Sequence, residues 1–226
     1  MAQYEVPPAT LAPYLPAGTE LDLFEGRSYV SLVGFLFDRV RLKGIPIPTY
    51  RRFEEVNLRF YVRRTEPDGR SKRGVVFIRE LVPKLAITLV AQTIYEEPYA
   101  TVPMRHRIRR AAGRWNVSYD WKFKGAWYSM AVEADANAVA IRPGTVEDFI
   151  TEHYWGYTKR SRGTTSEYEV RHPSWVTYPV ERYKIDVDFG ALYGADFASL
   201  NGDEPSSILL AEGSAVSVNS GARLPE

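Results

Sequence analysis

At 226 residues the chain is long enough to bury a full core, as one large β domain or at most two small ones. Its 29 Lys and Arg against 28 Asp and Glu leave a net charge of +1, which supplies no global field to draw in nucleic acid or an anionic membrane. The absence of cysteine excludes disulfides, thiolate metal sites and a cysteine nucleophile, and the three histidines (His106, His153, His172) lie too far apart in sequence to suggest a metal centre.

The first residues, MAQYEVPPAT, hold no basic region followed by an apolar run, and no stretch reaches the roughly 20 apolar residues of a membrane span. The expectation is a soluble protein of the bacterial cytoplasm. Aromatic residues at 13% favour strands over helices. Tyr4–Pro16 reads as an entry segment plus a short helix, with Pro8 in the first turn and Pro16-Ala17-Gly18 as the stop. Thr19–Glu25 and Arg27–Phe37 read as strands joined at Glu25-Gly26, the second apolar enough to be central and covered on both sides. Val40–Thr49, with Gly44, Pro46 and Pro48, reads as a loop. Phe60–Arg64 and Gly74–Glu80 flank a Glu-Pro-Asp-Gly turn and predict a hairpin.

Leu85–Tyr95 is too short a run to decide between helix and strand. Tyr99–Arg110, Arg114–Phe123 and Ala126–Ala134 predict a three-stranded meander. Thr145-Val146-Glu147-Asp148 has capping-box form and opens a helix to about His153. Strands resume at Thr164–His172 and Val176–Val187, a short helix follows at Gly190–Leu200, and Ser207–Val218 is the last strand before a fraying tail, Asn219–Glu226. With no repeat and no linker, residues 1–226 read as a single domain, largely antiparallel β with a few short helices.

The segment RRFEEVNLRFYV, Arg51–Val62, alternates strictly. Phe53, Glu55, Asn57, Arg59 and Tyr61 share one face, and Glu54, Val56, Leu58, Phe60 and Val62 the other. Two readings stand. The polar face is solvated, as polar strand faces usually are, or it lines a ligand cavity while the apolar face packs on an outer layer.

Several motifs in order carry a resemblance. LAPYLPAGTELDLFEGRSYVSLVGFLF (Leu11–Phe37), FEEVNLRFYV (Phe53–Val62), GVVFIREL (Gly74–Leu81), EEPYATVPM (Glu96–Met104), EHYWGYT (Glu152–Thr158), YEVRHPSW (Tyr168–Trp175) and LLAEGSAVSV (Leu209–Val218) resemble the YqjF-like family. That family is assigned to the acetoacetate decarboxylase-like superfamily. The family's usual Trp-rich N-terminal strand is missing or shortened here. The resemblance implies a closed antiparallel β-barrel around an internal cavity, and with it the cavity reading of the Glu55 face.

Acetoacetate decarboxylases use a Schiff-base lysine of depressed pKa, completed by a Glu and an Arg. On this resemblance Glu55, within Phe53-Glu54-Glu55-Val56, takes the position of the cavity Glu. The lysine segment corresponds to Glu96–Thr101, where Tyr99 replaces the lysine, and a phenol forms no imine. A competing alignment through Val82-Pro83-Lys84-Leu85-Ala86 makes Lys84 the nucleophile, with Glu55 as its catalytic partner. No arginine matches the superfamily's.

Glu55 and Arg59 on one strand face are expected to pair directly or through Asn57, either to hold structure or to leave Arg59 free for a carboxylate. Tyr99 and Arg105 flank the segment aligned with the catalytic one. Tyr99 is either a hydrogen-bond donor to a ligand oxygen or plain core. The basic run Arg105–Arg114 reads as a solvated strand and turn rather than a nucleic-acid patch. His153 is a candidate acid–base or binding group with no partner carboxylate identifiable in sequence. No phosphate loop, nucleophile elbow or metal motif is present, and no cofactor or metal is expected.

The leading expectation is a small organic acid or carbonyl compound held near Glu55, Asn57, Arg59, Tyr61, Tyr99, Arg105 and His153, without Schiff-base chemistry. A decarboxylase or lyase using Lys84 and a scaffolding protein with a filled barrel are the alternatives. Self-association follows from the resemblance alone.

Overall fold

The computed structural model describes residues 1–42, 45–46, 52–83, 98–160, 163–219 and 221–224, with the backbone alone for 41, 42, 45 and 46. Lys84 and the Leu85–Tyr95 run lie outside the described residues. The strands that carry the fold are β1 (Ala2–Val6), β2 (Ser28–Asp38), β3 (Arg52–Thr65), β4 (Ser71–Val82), β5 (Tyr99–Thr101) and β6 (Met104–Ala111). They continue as β7 (Arg114–Phe123), β8 (Ala126–Asp135), β9 (Trp155–Lys159), β10 (Thr165–Arg171) and β11 (Val180–Asp186). Short helices α1 (Pro8–Leu11), α2 (Val146–Thr151) and α3 (Phe189–Tyr193) punctuate them.

The main sheet runs from the two-residue strand Ser207–Ile208 through β1, β2, β3, β4, β9 and β10 to Ser217–Val218. A second sheet, in the order β11-β8-β7-β6, is antiparallel throughout. The apolar face of β3 (Val56, Leu58, Phe60, Val62) is fully buried. It packs with Val30 and Leu32 of β2, with Tyr119, Trp121 and Met130 of the second sheet, and with Phe189, Leu192 and Phe197 of the C-terminal helical turns. The two sheets approach closely at Gly34, where a Cβ would stand 2.8 Å from the Met130 sulfur. On the opposite face, Tyr61 packs with Tyr29, Val75 and the α2 residues Phe149 and Ile150.

The mostly-β expectation holds, whereas the described residues do not close into an antiparallel barrel. Among the described residues the main sheet ends at two free edges, and the second sheet is stacked on it by side chains rather than joined to it by a ladder. One reason is legible in β5 and β6, which the sequence reading had merged. Pro103 lacks the N–H that would continue the ladder, so the chain leaves the edge of β4 after Thr101 and re-enters in the second sheet at Met104. The main sheet is also mixed, since β4 runs parallel to both β5 and β9.

A short N-terminal strand occupies part of what the sequence reads as an entry segment, and its pairing with β2 through Ala2↔Leu32 and Tyr4↔Val30 buries it in the core. Thr19–Glu25 contracts to Glu20–Leu21, and part of the expected loop, Arg41–Leu42 with Ile45–Pro46, forms a small antiparallel pair. Val176–Val187 is interrupted at Pro179, and Ser207–Val218 is three separate two-residue strands. The tail is anchored: Ala222–Leu224 pairs with Thr165–Glu167. No helix among the described residues is long and apolar enough to cross a membrane.

Candidate functional site

The polar face of β3 lies inside the protein. Glu55 is 2% exposed, Asn57 1% and Tyr61 1%, which overturns the solvated reading. Ladder register sets the neighbours of each residue. Asn57 has Val33 of β2 on one side and Glu80 of β4 on the other, and Glu80 in turn faces Tyr99 of β5. Arg59 is flanked by Ser31 of β2 and Phe77 of β4, and beyond Ser31 stands Gln3 of β1. Tyr61 is opposite Val75.

Two polar groupings occupy this face, with Arg59 between them. In the first, the Asn57 amide donates to Glu55 Oε1 at 2.9 Å and the Tyr99 hydroxyl donates to Glu55 Oε2 at 3.4 Å. Glu80, also buried, belongs here because of a bulge at Leu58/Arg59. Before the bulge, Val75 and Phe77 of β4 share the Tyr61 side while Val76 and Ile78 face the main core. The extra residue reverses that parity and turns Glu80 toward Asn57. Arg59 does not pair with Glu55 as the sequence suggested. Among the described residues no carboxylate lies within ion-pair distance of its guanidinium, and its Nε has no hydrogen-bond partner.

The second grouping is built by α2. Thr145 caps the helix, accepting from the Asp148 N–H at 3.4 Å, with Glu147 and Asp148 in the first turn as the sequence predicted. The helix ends at Thr151, and the turn that follows buries His153 against Tyr61 and Phe149, ring centroids 4.7 and 5.0 Å away. A backbone bond from Tyr154 N–H to the Arg73 carbonyl holds that turn on β4. His153 Nε2 donates to Asp22 Oδ2 at 3.0 Å, and Arg73 Nε donates to the same oxygen at 2.6 Å. Ser31 and Tyr61 satisfy each other, hydroxyl to hydroxyl, at 2.6 Å.

Electrostatics fix the protonation of this pair. Burial pulls the His153 pKa down to about 4, the Asp22 hydrogen bond opposes the shift, and the positive charges of Arg73 and Arg59 reinforce it. Burial raises the Asp22 carboxyl, but hydrogen bonds from His153 and Arg73 and their charges outweigh it and hold the pKa below the usual value. At neutral pH the imidazole is therefore uncharged, with its proton on Nε2 and a bare Nδ1. Neutral His153 and paired Arg73 and Asp22 leave Arg59 as the unmatched charge at this end of the strand.

Of the residues singled out in sequence, Glu55, Asn57, Arg59, Tyr61, Tyr99 and His153 share this face. Arg105 does not. It lies on the outer face of the second sheet, over the Trp127 ring at 4.6 Å and 3.5 Å from Asp120, beside a depression of about 300 Å³. Lys84 lies outside the described residues. Sequence reasoning missed Gln3, Asp22, Arg73 and Glu80. Only Glu80, inside the quoted GVVFIREL motif, carried a signal, a carboxylate in an apolar strand run.

The comparisons agree with this architecture. YqjF of Bacillus subtilis (strain 168) is 25% identical over 181 residues, covering 80% of this chain and 72% of that protein. Among solved structures, the enduracididine biosynthesis enzyme MppR with HEPES buffer bound aligns with a TM-score of 0.65 at 13% identity, over 99% of this chain and 84% of that one. An acetoacetate decarboxylase-like enzyme from Sphingomonas wittichii RW1 aligns at 0.62 and 13% identity, over 99% and 89%. Acetoacetate decarboxylase from Legionella pneumophila aligns at 0.54 and 12% identity, over 99% and 80%. At these identities the solved structures speak for a shared fold. A sequence profile covers residues 1–215, and the chain accordingly belongs to the DUF2071 family, described as an uncharacterized conserved protein.

Proposed function

We propose that this protein binds a small organic acid or carbonyl compound on the buried face of β3, with Arg59 as the anchor for a carboxylate. The observation that carries this reading is a guanidinium held among buried polar side chains with no carboxylate of its own among the described residues. Arg59 is itself partly exposed but its Nε is out of water, and a charge desolvated in this way is costly unless it is paired. A carboxylate ligand supplies the missing charge through paired N–H···O bonds. Glu55, Asn57 and Tyr99 on one side and Tyr61 and His153 on the other then set which acid fits. MppR, of related fold, has been solved in complex with pyruvate, an acid of this class. The alignment in which Tyr99 takes the lysine's position supports binding without imine formation.

The test is thermal denaturation against a panel of C3–C6 carboxylates and keto acids at millimolar concentration, on the wild type and on Arg59→Met. At least one acid is expected to raise the wild-type Tm and to lose that effect in the variant. No stabilisation by any acid, or equal stabilisation of the variant, overturns the reading. Borohydride reduction with pyruvate and acetoacetate, followed by intact mass, is expected to give no lysine adduct. A mass increase localised to Lys84 would instead establish the imine-forming alternative.

A further inference from the structure

Four polar atoms on this side of the sheet are buried with no hydrogen-bond partner among the described residues: Gln3 Nε2, Asn57 Oδ1, Arg59 Nε and His153 Nδ1. Gln3 and Arg59 sit in one cross-strand row with Ser31 between them. Asn57 is the next residue on that face of β3 in one direction, and Tyr61, which carries the His153 ring, is the next in the other. Same-face neighbours along a strand are about 7 Å apart, so the residues that carry these atoms are neighbours on one buried face. An orphaned buried polar atom is unfavourable by itself, and buried polar groups in native proteins are almost always satisfied. Four of them on one buried face point to a ligand with matching groups.

The match can be read from donor and acceptor types. Arg59 Nε and Gln3 Nε2 are donors, as a carboxylate requires. Gln3 is oriented for this, because its Oε1 accepts from the Ser207 hydroxyl at 2.7 Å, leaving the NH₂ end unused. Asn57 Oδ1 and His153 Nδ1 are acceptors, and neither can serve a carboxylate or a ketone. His153 is the more constrained of the two. Its Nε2–H is directed at Asp22, Asp22 is clamped by Arg73, and the ring is wedged between Tyr61 and Phe149. The imidazole cannot reverse its tautomer without losing Asp22, so Nδ1 is a fixed acceptor.

Resting on the binding reading above, we propose that the ligand is a hydroxy acid: its carboxylate is taken by Arg59 and Gln3, and its hydroxyl donates to His153 Nδ1. Asp22 and Arg73 act as positioning residues that fix the tautomer. A keto acid or an unsubstituted acid fills the donor end of the site and leaves the His153 acceptor bare. A site built to receive a hydroxyl proton discriminates against analogues that lack it.

The experiment is calorimetric titration with two matched sets of equal charge: propanoate, lactate and pyruvate, and butanoate, 3-hydroxybutanoate and acetoacetate. In at least one set the hydroxy acid is expected to bind about tenfold more tightly than its two analogues, the worth of one buried hydrogen bond. His153→Gln, which keeps a donor for Asp22 and removes the Nδ1 acceptor, is expected to bring that ratio to about one. Gln3→Met is expected to weaken all members of a set alike. Nitrogen-15 NMR of the wild type gives a readout independent of any variant, in which the hydroxy acid shifts the His153 Nδ1 resonance and the unsubstituted acid does not. If the acids bind through Arg59 but the hydroxyl makes no difference, or if the ratio survives in His153→Gln, the hydroxy-acid assignment falls and the binding reading stands. If no acid binds at all, both fall together.

Discussion

Glu80 stands directly opposite Asn57 across the β3–β4 ladder, on the same buried face as Glu55. The Asn57 amide donates to Glu55 Oε1 there at 2.9 Å, beside the Tyr99 hydroxyl on Oε2. Replacing Asn57 by Leu removes one of the donors to a buried carboxylate. The expected cost is about 2–3 kcal/mol, read as a lower urea midpoint with an unchanged m-value. Asn57→Asp adds a further carboxyl to the same face and is expected to be more harmful at pH 7 than at pH 4, where the new group is largely protonated. Equal loss at both pH values would mean that like-charge repulsion is not felt at this site.

Two of the glycines that allow close approach, Gly34 and Gly74, differ in what they face, and their alanine variants should differ accordingly. At Gly74 a Cβ would lie 2.6 Å from the Trp155 carbonyl oxygen and 2.6 Å from the Tyr157 ring, where the parallel β4–β9 pair leaves no room. At Gly34 the nearest atom is the Met130 sulfur at 2.8 Å, the end of a flexible side chain. Gly34→Ala is therefore expected to cost about 1–2 kcal/mol, and much of that should return in the double variant with Met130→Ala. Gly74→Ala is expected to cost about 3 kcal/mol or more, with no single side-chain truncation restoring it. Chemical denaturation of the three proteins measures both.

How much of this was legible in sequence follows from how local each cause is. The alternation from Phe53 to Val62, the Glu66–Gly69 turn and the Thr145 cap are set within a few residues, and each forms as the pattern indicates. The burial of the polar face was not legible, because it depends on α2 and β1, which lie far from each other and from β3 in the sequence. Glu80 was hidden by the bulge, since a strict period of two assigns it to the core side with Val76 and Ile78. Asp22 was hidden by distance, 131 residues from His153 along the chain. The closed barrel came from the resemblance, and Pro103, which was in view, is where the chain passes between sheets.

Because α2 carries His153 to β3, its cap has consequences beyond local stability. Thr145 accepts from the Asp148 N–H and also donates its hydroxyl to the Arg142 carbonyl at 2.9 Å, so Thr145→Val removes both bonds while preserving shape. The expected loss is about 1 kcal/mol in global stability. Hydrogen exchange should show the larger effect, with faster exchange confined to the residues from Phe149 to Tyr154 rather than spread over the sheet. Uniform acceleration across β2 and β3 would mean that the helix and the sheet unfold as one unit.

The buried His153–Asp22 pair makes a prediction about acid stability. The folded His153 pKa is about 4 against 6.5 for the unperturbed group. Between those two values the unfolded chain holds a proton that the folded protein does not, so stability falls as pH falls through this window. The slope approaches that of one proton, about 1.4 kcal/mol per pH unit. Below about pH 4 the folded protein takes up the same proton and this contribution levels off. Asp22 acts in the adjoining window. Its folded pKa lies below the ordinary 3.8, so its stabilisation is present above that value and is lost as pH falls beneath it. His153→Gln keeps a donor beside Asp22 and abolishes only the first effect. Urea denaturation at half-unit steps from pH 7 to pH 3.5 should therefore give a wild-type curve steeper than the variant's by close to one proton near pH 5. The two curves should run parallel above pH 7. Identical slopes near pH 5 would mean that His153 protonates as freely in the folded protein as in the unfolded chain, and would remove the fixed Nδ1 acceptor on which recognition of a ligand hydroxyl depends.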